Sequence, residues 1–213
     1  IKESVTARLA VKKEDSELKI WTETFNELFK KVSEMNIEKV VLARRLEGKI
    51  LDDISWKRTL DELNVKYPGC ANFAYKSSGS IFFGSTPEVL IKFKENKFST
   101  EALAGSIKRG SSINDDKMLE TELLNSNKNI NEHKSVVNFI SSALNEFSED
   151  ITFTDSPVVK KLPNIQHLQT SITGTLKPNI NMLHVMRSLF PTPAVCGIPK
   201  DKSLKLIEET ETF

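Results

Sequence analysis

The sequence is poor in the residues that build covalent or metal-held frameworks. Among 213 residues there are two cysteines, Cys70 and Cys196, and three histidines. Two cysteines make no disulfide scaffold, and no Cys/His cluster has the spacing of a zinc site. An excess of one charge sign is also missing: 30 basic residues face 29 acidic ones, a net charge of +1. That balance excludes the basic footprint that nucleic acid or an anionic membrane surface requires. No apolar run reaches the length needed to cross a bilayer. The opening Ile1-Lys2-Glu3-Ser4 is polar, so no signal peptide is expected and a reducing cytoplasm is the expected compartment. There is no low-complexity tract and no internal repeat.

What is present is the material of a globular core. Hydrophobic residues make up 38% of the chain, with twelve Phe, enough for one large or two small domains. Alternation of Val5, Ala7, Leu9 and Val11 predicts a strand within residues 1–13. Leu18, Trp21, Phe25, Leu28, Phe29 and Val32 recur at helical spacing, which predicts a helix over 16–35 with Ser16 as its N-cap. Val40, Val41, Leu42 and Leu46 suggest a buried strand, and a helix is expected over 53–66, closed by Pro68-Gly69. Cys70–Tyr75 and Ile81–Gly84 read as a hairpin turning through 76–80. Val89–Phe93 and Lys97–Leu103 read as a second hairpin turning at Glu95-Asn96, giving a four-strand antiparallel run. Helices are expected over 115–127, 129–148 and 179–189, with extended segments at 151–154, 158–162 and 165–176. Prolines 191, 193 and 199 stiffen the loop before a last helix over 202–211, capped by Asp201. Strands and helices are segregated, so the expected class is α+β, with mixed or antiparallel sheets flanked by helices. Residues 1–36 are expected to lead into a main domain over 37–213.

Five places carry candidate chemistry. The stretch Thr100–Gly110 ends an extended run in Ala104-Gly105-Ser106. A glycine there lets backbone approach a ligand, and successive N–H groups can cradle an anion; an ordinary strand end followed by a loop glycine is the plainer alternative. Lys39 stands at the mouth of an apolar run, either with its head in solvent or desolvated into a base. Glu88, after Pro87, is either a solvated turn residue or a general acid, which requires burial to raise its pKa. Glu132, beside His133, lies at the edge of an apolar helix stripe, where a carboxylate is either surface decoration or a ligand for Mg²⁺. His167 interrupts an apolar strand and reads first as a satisfied core histidine.

In order along one chain, these pieces resemble the chorismate-utilising enzymes. The resemblance is carried by Lys39-Val40-Val41-Leu42-Ala43-Arg44, Gly84-Ser85-Thr86-Pro87-Glu88, Thr100-Glu101-Ala102-Leu103-Ala104-Gly105-Ser106 and Arg109-Gly110. It continues through Glu132-His133, Gln166-His167-Leu168 and Pro191-Thr192-Pro193-Ala194-Val195-Cys196-Gly197. Within that family, Lys39, Ala104 and Ala194 are similar to the isochorismate synthases of menaquinone or siderophore pathways, with salicylate synthase or a non-catalytic binding module as alternatives. The resemblance implies chorismate as substrate and Mg²⁺ as cofactor, with Glu132 as one metal ligand. It implies Lys39 as the base that activates water for attack at C2 and Glu88 as the acid that protonates the hydroxyl leaving C4. It further implies Ala104, Gly105, Ser106, His167 and Ala194 as substrate-binding residues.

Two departures from the family pattern stand out. Phe190 replaces the usual histidine of a Leu-His-Pro motif, which is expected to make lyase side chemistry less favourable than water addition. The chain stops at Glu211-Thr212-Phe213, where the family usually continues to a further arginine and a second metal carboxylate. The domain is therefore expected to be incomplete, and these 213 residues are expected to be inactive by themselves.

Overall fold

The computed structural model describes residues 8–11 and 15–211, with backbone alone for 15–17. Contacts divide the chain into two units, one of Ile1–Leu63 with Cys196–Phe213 and one of Asn64–Val195. In the first unit, β1 (Leu9–Val11), α1 (Asp15–Glu34), β2 (Lys39–Val40) and β3 (Gly48–Ile50) precede α2 (Trp56–Lys66), along which the chain leaves it. The chain returns as β11 (Gly197–Ile198) and α6 (Lys200–Thr210). β1 pairs with β3 and β2 with β11, both antiparallel. Leu28, Ile37 and Leu206 form a small core, flanked by Val32, Met35, Val40 and Leu42.

Several expectations change in this unit. The buried strand expected from Val40 to Leu46 is limited to Lys39–Val40, and Leu46 is exposed. α1 begins at Asp15, and the side chain of Ser16, like residues 1–7 and 12–14 of the expected first strand, lies outside the described residues. Of the α1 stripe Leu28 is buried, whereas Leu18, Phe25 and Phe29 are exposed. Periodicity names the apolar face of a helix, but burial requires a partner for it. Asp201 is not a cap: α6 starts at Lys200 with Pro199 in the cap position, and Asp201 lies in the first turn. A negative charge there complements the exposed N–H groups of the helix end.

In the second unit, β4 (Ala71–Ser77) and β5 (Ser80–Thr86) form the first hairpin. Ser78 and Gly79 both have positive φ, 49° and 84°, the backbone of a two-residue type I′ turn. Pro87 follows, without an N–H to extend a ladder, and the chain leaves the hairpin there. The expected four-strand run is therefore broken in two. β6 (Lys92–Lys94) and β7 (Lys97–Lys108) belong to another sheet. After α3 (Ile113–Asn125) and α4 (Asn127–Asn145), that sheet is completed by β8 (Ser148–Phe153), β9 (Val158–Lys161) and β10 (Ile165–Leu176). Its order is β6-β7-β10-β8, with β9 also on β10, and α5 (Met182–Leu189) follows. Every strand pair is antiparallel, as the α+β class requires.

The core lies between one face of this sheet and α4. Phe98, Ala102, Ala104 and Ile172 pack against Val136, Val137, Ile140 and Leu144. Fully burying each Leu, Ile or Val contributes about 1.5–3 kcal/mol, so this face anchors the unit. Ser126 closes two helices at once: its N–H donates to Leu123 O, and its hydroxyl accepts from Asn129 N. A second fastening is ionic. Arg109 donates to the Asp116 carboxylate through Nε at 2.6 Å and Nη2 at 2.9 Å, Lys161 Nζ donates at 2.9 Å, and Gly110 N–H adds a fourth bond. The Arg109 guanidinium is the first cause that holds this carboxyl well below the usual range. The Arg109-Gly110 motif therefore works as a clamp on α3, because a Cβ at Gly110 would lie 2.1 Å from Asp116 N.

β7 does not end at Leu103. It runs on to Lys108, and the register with β10 shifts between His167 and Leu168. Ser106 faces His167 and Ala104 faces Leu168, so Gly105 is the extra residue of a β-bulge, with φ 76°. A Cβ there would also lie 3.0 Å from Asn129 O. Gly105→Ala is expected to lower stability by about 1–3 kcal/mol, from left-handed backbone and the crowded helix. Urea unfolding checks this, and a wild-type midpoint would remove the bulge argument.

Candidate functional site

The two faces of the β7–β10 ladder have opposite chemistry. Residues 98, 100, 102 and 104 face the helix core, while Glu101 lies on the other side, paired with Ser171. His167 and Lys160, paired across β10 and β9, belong to that second face. Two clefts open near Glu101, and the smaller also reaches Thr100, Val136 and Ile140 on the helix side. The smaller, of about 220 Å³, includes Glu88, Glu101, Leu103, Phe190 and Ala194 in its lining. The larger, of about 580 Å³, includes Glu88, Glu101, Lys160, Cys70 and Ser171. Glu88 and Glu101 line both.

Glu88 is placed by the chain that leaves β5. Its N–H donates to the Thr86 hydroxyl at 3.2 Å. The Thr100 hydroxyl donates to Leu90 O at 2.7 Å and so ties the same segment to β7. One side of Glu88 is open to solvent, but the surrounding protein desolvates its carboxyl and raises its pKa; the neighbouring Glu101 adds to the rise and Lys160 opposes it. A shift in this direction is the one a general acid needs. Glu101 itself is engaged on both oxygens, by Lys160 Nζ at 2.6 Å and by the Gln169 amide.

Around the bulge, Ser106 Oγ lies 2.8 Å from His167 Nδ1. Burial lowers the His167 pKa, and the nearby Lys160 charge lowers it further. On the opposite face the buried His133 of α4 bridges Ala104 O, at 3.2 Å from Nδ1, and Thr170 Oγ1, at 2.8 Å from Nε2. Desolvation lowers the His133 pKa as well, so the ring is a neutral fastener. The bulge also packs against α4. The Ser106 N–H points to Asn129 Oδ1 at 3.4 Å, and Gly105 is small because Asn129 lies against it.

The structure thus brings Glu88 and Ala194 to one cleft and Ala104, Gly105, Ser106 and His167 to one bulge. Glu132 is half-buried on α4 beside His133. Among the described residues no three His, Cys, Asp or Glu side chains group as a metal cage. Mg²⁺ is commonly held by one or two carboxylates, with water and substrate oxygens completing the shell, and a single half-buried carboxylate fits that role. Lys39 belongs to the first unit, in β2. Its carbonyl accepts from Ser203 Oγ at 3.0 Å, and a Cβ at Gly197 would lie 2.1 Å from the same oxygen, so its backbone position is tightly specified. Sequence reading missed Lys160 and Gln169 and quoted Glu101 without assigning it a part. Their signal was weak: each is one polar residue on a strand, and β10 alone brings β7 and β9 together.

Because the Glu88 pKa is raised in the folded state, its ionisation costs stability. That cost is absent below the unfolded value of about 4.3 and grows as pH rises towards the folded value. Glu88→Gln is therefore expected to melt at a higher temperature than wild type at pH 8, with the difference fading near pH 4. Thermal unfolding at both pH values tests this; a lower melting temperature at pH 8 would reverse the assignment.

The known proteins most informative about this geometry share its fold across nearly the whole chain. MenF, the menaquinone-specific isochorismate synthase from Escherichia coli, superposes with a TM-score of 0.87 at 26% identity, covering 100% of this chain and 50% of that one. Isochorismate synthase MenF of Bacillus subtilis is 35% identical over 195 residues, 90% of this chain. The salicylate biosynthesis isochorismate synthase of Pseudomonas aeruginosa is 34% identical over 191 residues, also 90% of the chain. The chain spans about two fifths of the length of these two relatives, 41% and 40%. No helix of the described residues is long and apolar enough to cross a membrane. Glu88, the Gly105 bulge and the ordered motifs stand within a match to the chorismate binding enzyme family over residues 2–213, and the chain belongs to that family.

Proposed function

We propose that the natural protein carrying this chain is an isochorismate synthase, which rearranges chorismate to isochorismate. The observation that carries this reading is Glu88, a carboxyl at a cleft whose surroundings favour the protonated form. The names of two relatives in sequence and of one protein with the same fold support it. Lys39 takes a proton from water, and the water oxygen bonds to C2. The ring double bonds shift, the C4–oxygen bond breaks, and Glu88 gives its proton to the departing hydroxyl, which leaves as water. No oxidant or reductant is consumed.

Ala104, Gly105, Ser106, His167 and Ala194 are the proposed binding residues, and Glu132 the proposed protein ligand of Mg²⁺. When bound, Mg²⁺ supplies charge neutralisation and orientation for a substrate carboxylate. Phe190 lines the smaller cleft and has no proton to donate, which supports water addition over lyase chemistry. The relatives' names point to menaquinone or salicylate supply, and the free thiols of Cys70 and Cys196 suit a reducing cytoplasm. The even charge balance leaves nucleic acid and anionic membrane outside the proposed partners.

Chromatography of products from chorismate and Mg²⁺ tests the proposal. Isochorismate is expected, with kcat reduced roughly 100-fold or more in Lys39→Ala and in Glu88→Gln. Salicylate with pyruvate would point to the lyase instead. No product would point to a binding module, and full turnover by Lys39→Ala would remove the assigned base.

A further inference from the structure

We infer that the Lys160–Glu101 ion pair is the positioning device of the candidate acid: Lys160 ties the segment that carries Glu88 to β7 and stands beside Glu101 against it. The inference rests on the general-acid reading of Glu88. Lys160 Nζ makes two bonds, to Glu101 Oε1 at 2.6 Å and to the Pro87 carbonyl at 3.2 Å. Pro87 immediately precedes Glu88 in the chain, so one ammonium group holds both a strand and the acid-bearing segment. The Gln169 amide donates to the second Glu101 oxygen, which fixes the orientation of that carboxylate. The pair is shielded, with side-chain exposures of 22% for Lys160 and 12% for Glu101. A shielded pair is screened little by salt and acts strongly on a third charge nearby.

The groups that face Glu88 come from several elements. Glu101 projects from β7 and Lys160 from β9, while Lys92 of β6 and Cys70 before β4 line the same cleft. His167 of β10 pairs with Lys160 in the register. Of these, Glu101 favours a proton on Glu88 and Lys160 favours its loss. A residue with a merely structural role would not give those two substitutions opposite signs. Glu101→Gln keeps the shape and removes the repulsion, so Glu88 loses its proton at lower pH. Lys160→Met removes the opposing cation and leaves Glu101 uncompensated, so Glu88 keeps its proton to higher pH.

Two readouts on the natural protein carry the test. The first is the Glu88 carboxyl titration, followed by carbon-13 NMR with Glu88→Gln assigning the signal; it requires no turnover. The second is the pH profile of kcat, in which the loss of activity at high pH marks deprotonation of the acid. Glu101→Gln is expected to move both to lower pH, and Lys160→Met to move both to higher pH with kcat down on the order of 10-fold. Lys160→Arg, which retains the cation, is expected to restore the wild-type position. Shifts of the same sign in the two variants, or none in either, overturn the inference even if isochorismate is formed. If no isochorismate is formed, the activity proposal fails, and the NMR titration alone still decides whether the pair governs Glu88. Circular dichroism identifies a variant that fails to fold, in which case the isosteric Glu101→Gln and the charge-conserving Lys160→Arg decide.

Discussion

The pairing of β7 with β10 is the constraint on which the second unit depends. It is the longest ladder of the sheet, and each of its faces has a different task. The inward face meets α4 and contributes Phe98, Ala102, Ala104 and Ile172 to the core. The outward face carries Glu101, with Lys160 joined to it from β9. Strand alternation makes this division automatic, since a shift by one residue would exchange the two sets. The Gly105 bulge is the point where that shift is made locally. It lets the ladder continue to Lys108 while α4 approaches at Asn129.

Charges and buried polar groups then refine what packing has placed. His133 is neutralised by burial and joins Ala104 to Thr170 through its two ring nitrogens. Asp116 remains ionised because Arg109, Lys161 and a backbone N–H surround it. Glu88 has the contrary environment, with desolvation and Glu101 acting together. The surroundings of these three titratable side chains thus shift them in different directions: the Asp116 and His133 pKa values go down and the Glu88 pKa goes up. The separation between the Asp116 and Glu88 environments also separates a structural carboxylate from a candidate catalytic one.

Much of this was legible in the residues. The helices around Val136–Leu144, the strand at 165–176 and the hairpin turn at Ser78-Gly79 follow from local periodicity and turn chemistry. An acid at Glu88 requires a raised pKa; the residue is exposed, and the neighbouring protein and Glu101 shift its carboxyl in that direction. The residues around Gly105 suggest a strand end, whereas the strand continues to Lys108 through a bulge, with Asn129 of α4 as the close neighbour. The four-strand run was misjudged because hairpins adjacent in sequence need not join one sheet. The exposed faces of Phe25 and Phe29 show the same limit for a helix.

The sequence alone determined most of the helices and the longer strands, which faces are apolar, and the family to which the ordered motifs point. Those properties are local, written in spacings of two to four residues and in the backbone preferences of Gly and Pro. Only the tertiary structure decided that Glu101, Lys160 and Gln169 form one network beside Glu88, and that Gly105 is a bulge. These facts depend on β10 bringing together strands far apart in the chain. Electrostatic energy depends on distance in space, and no local pattern in the residues records that distance.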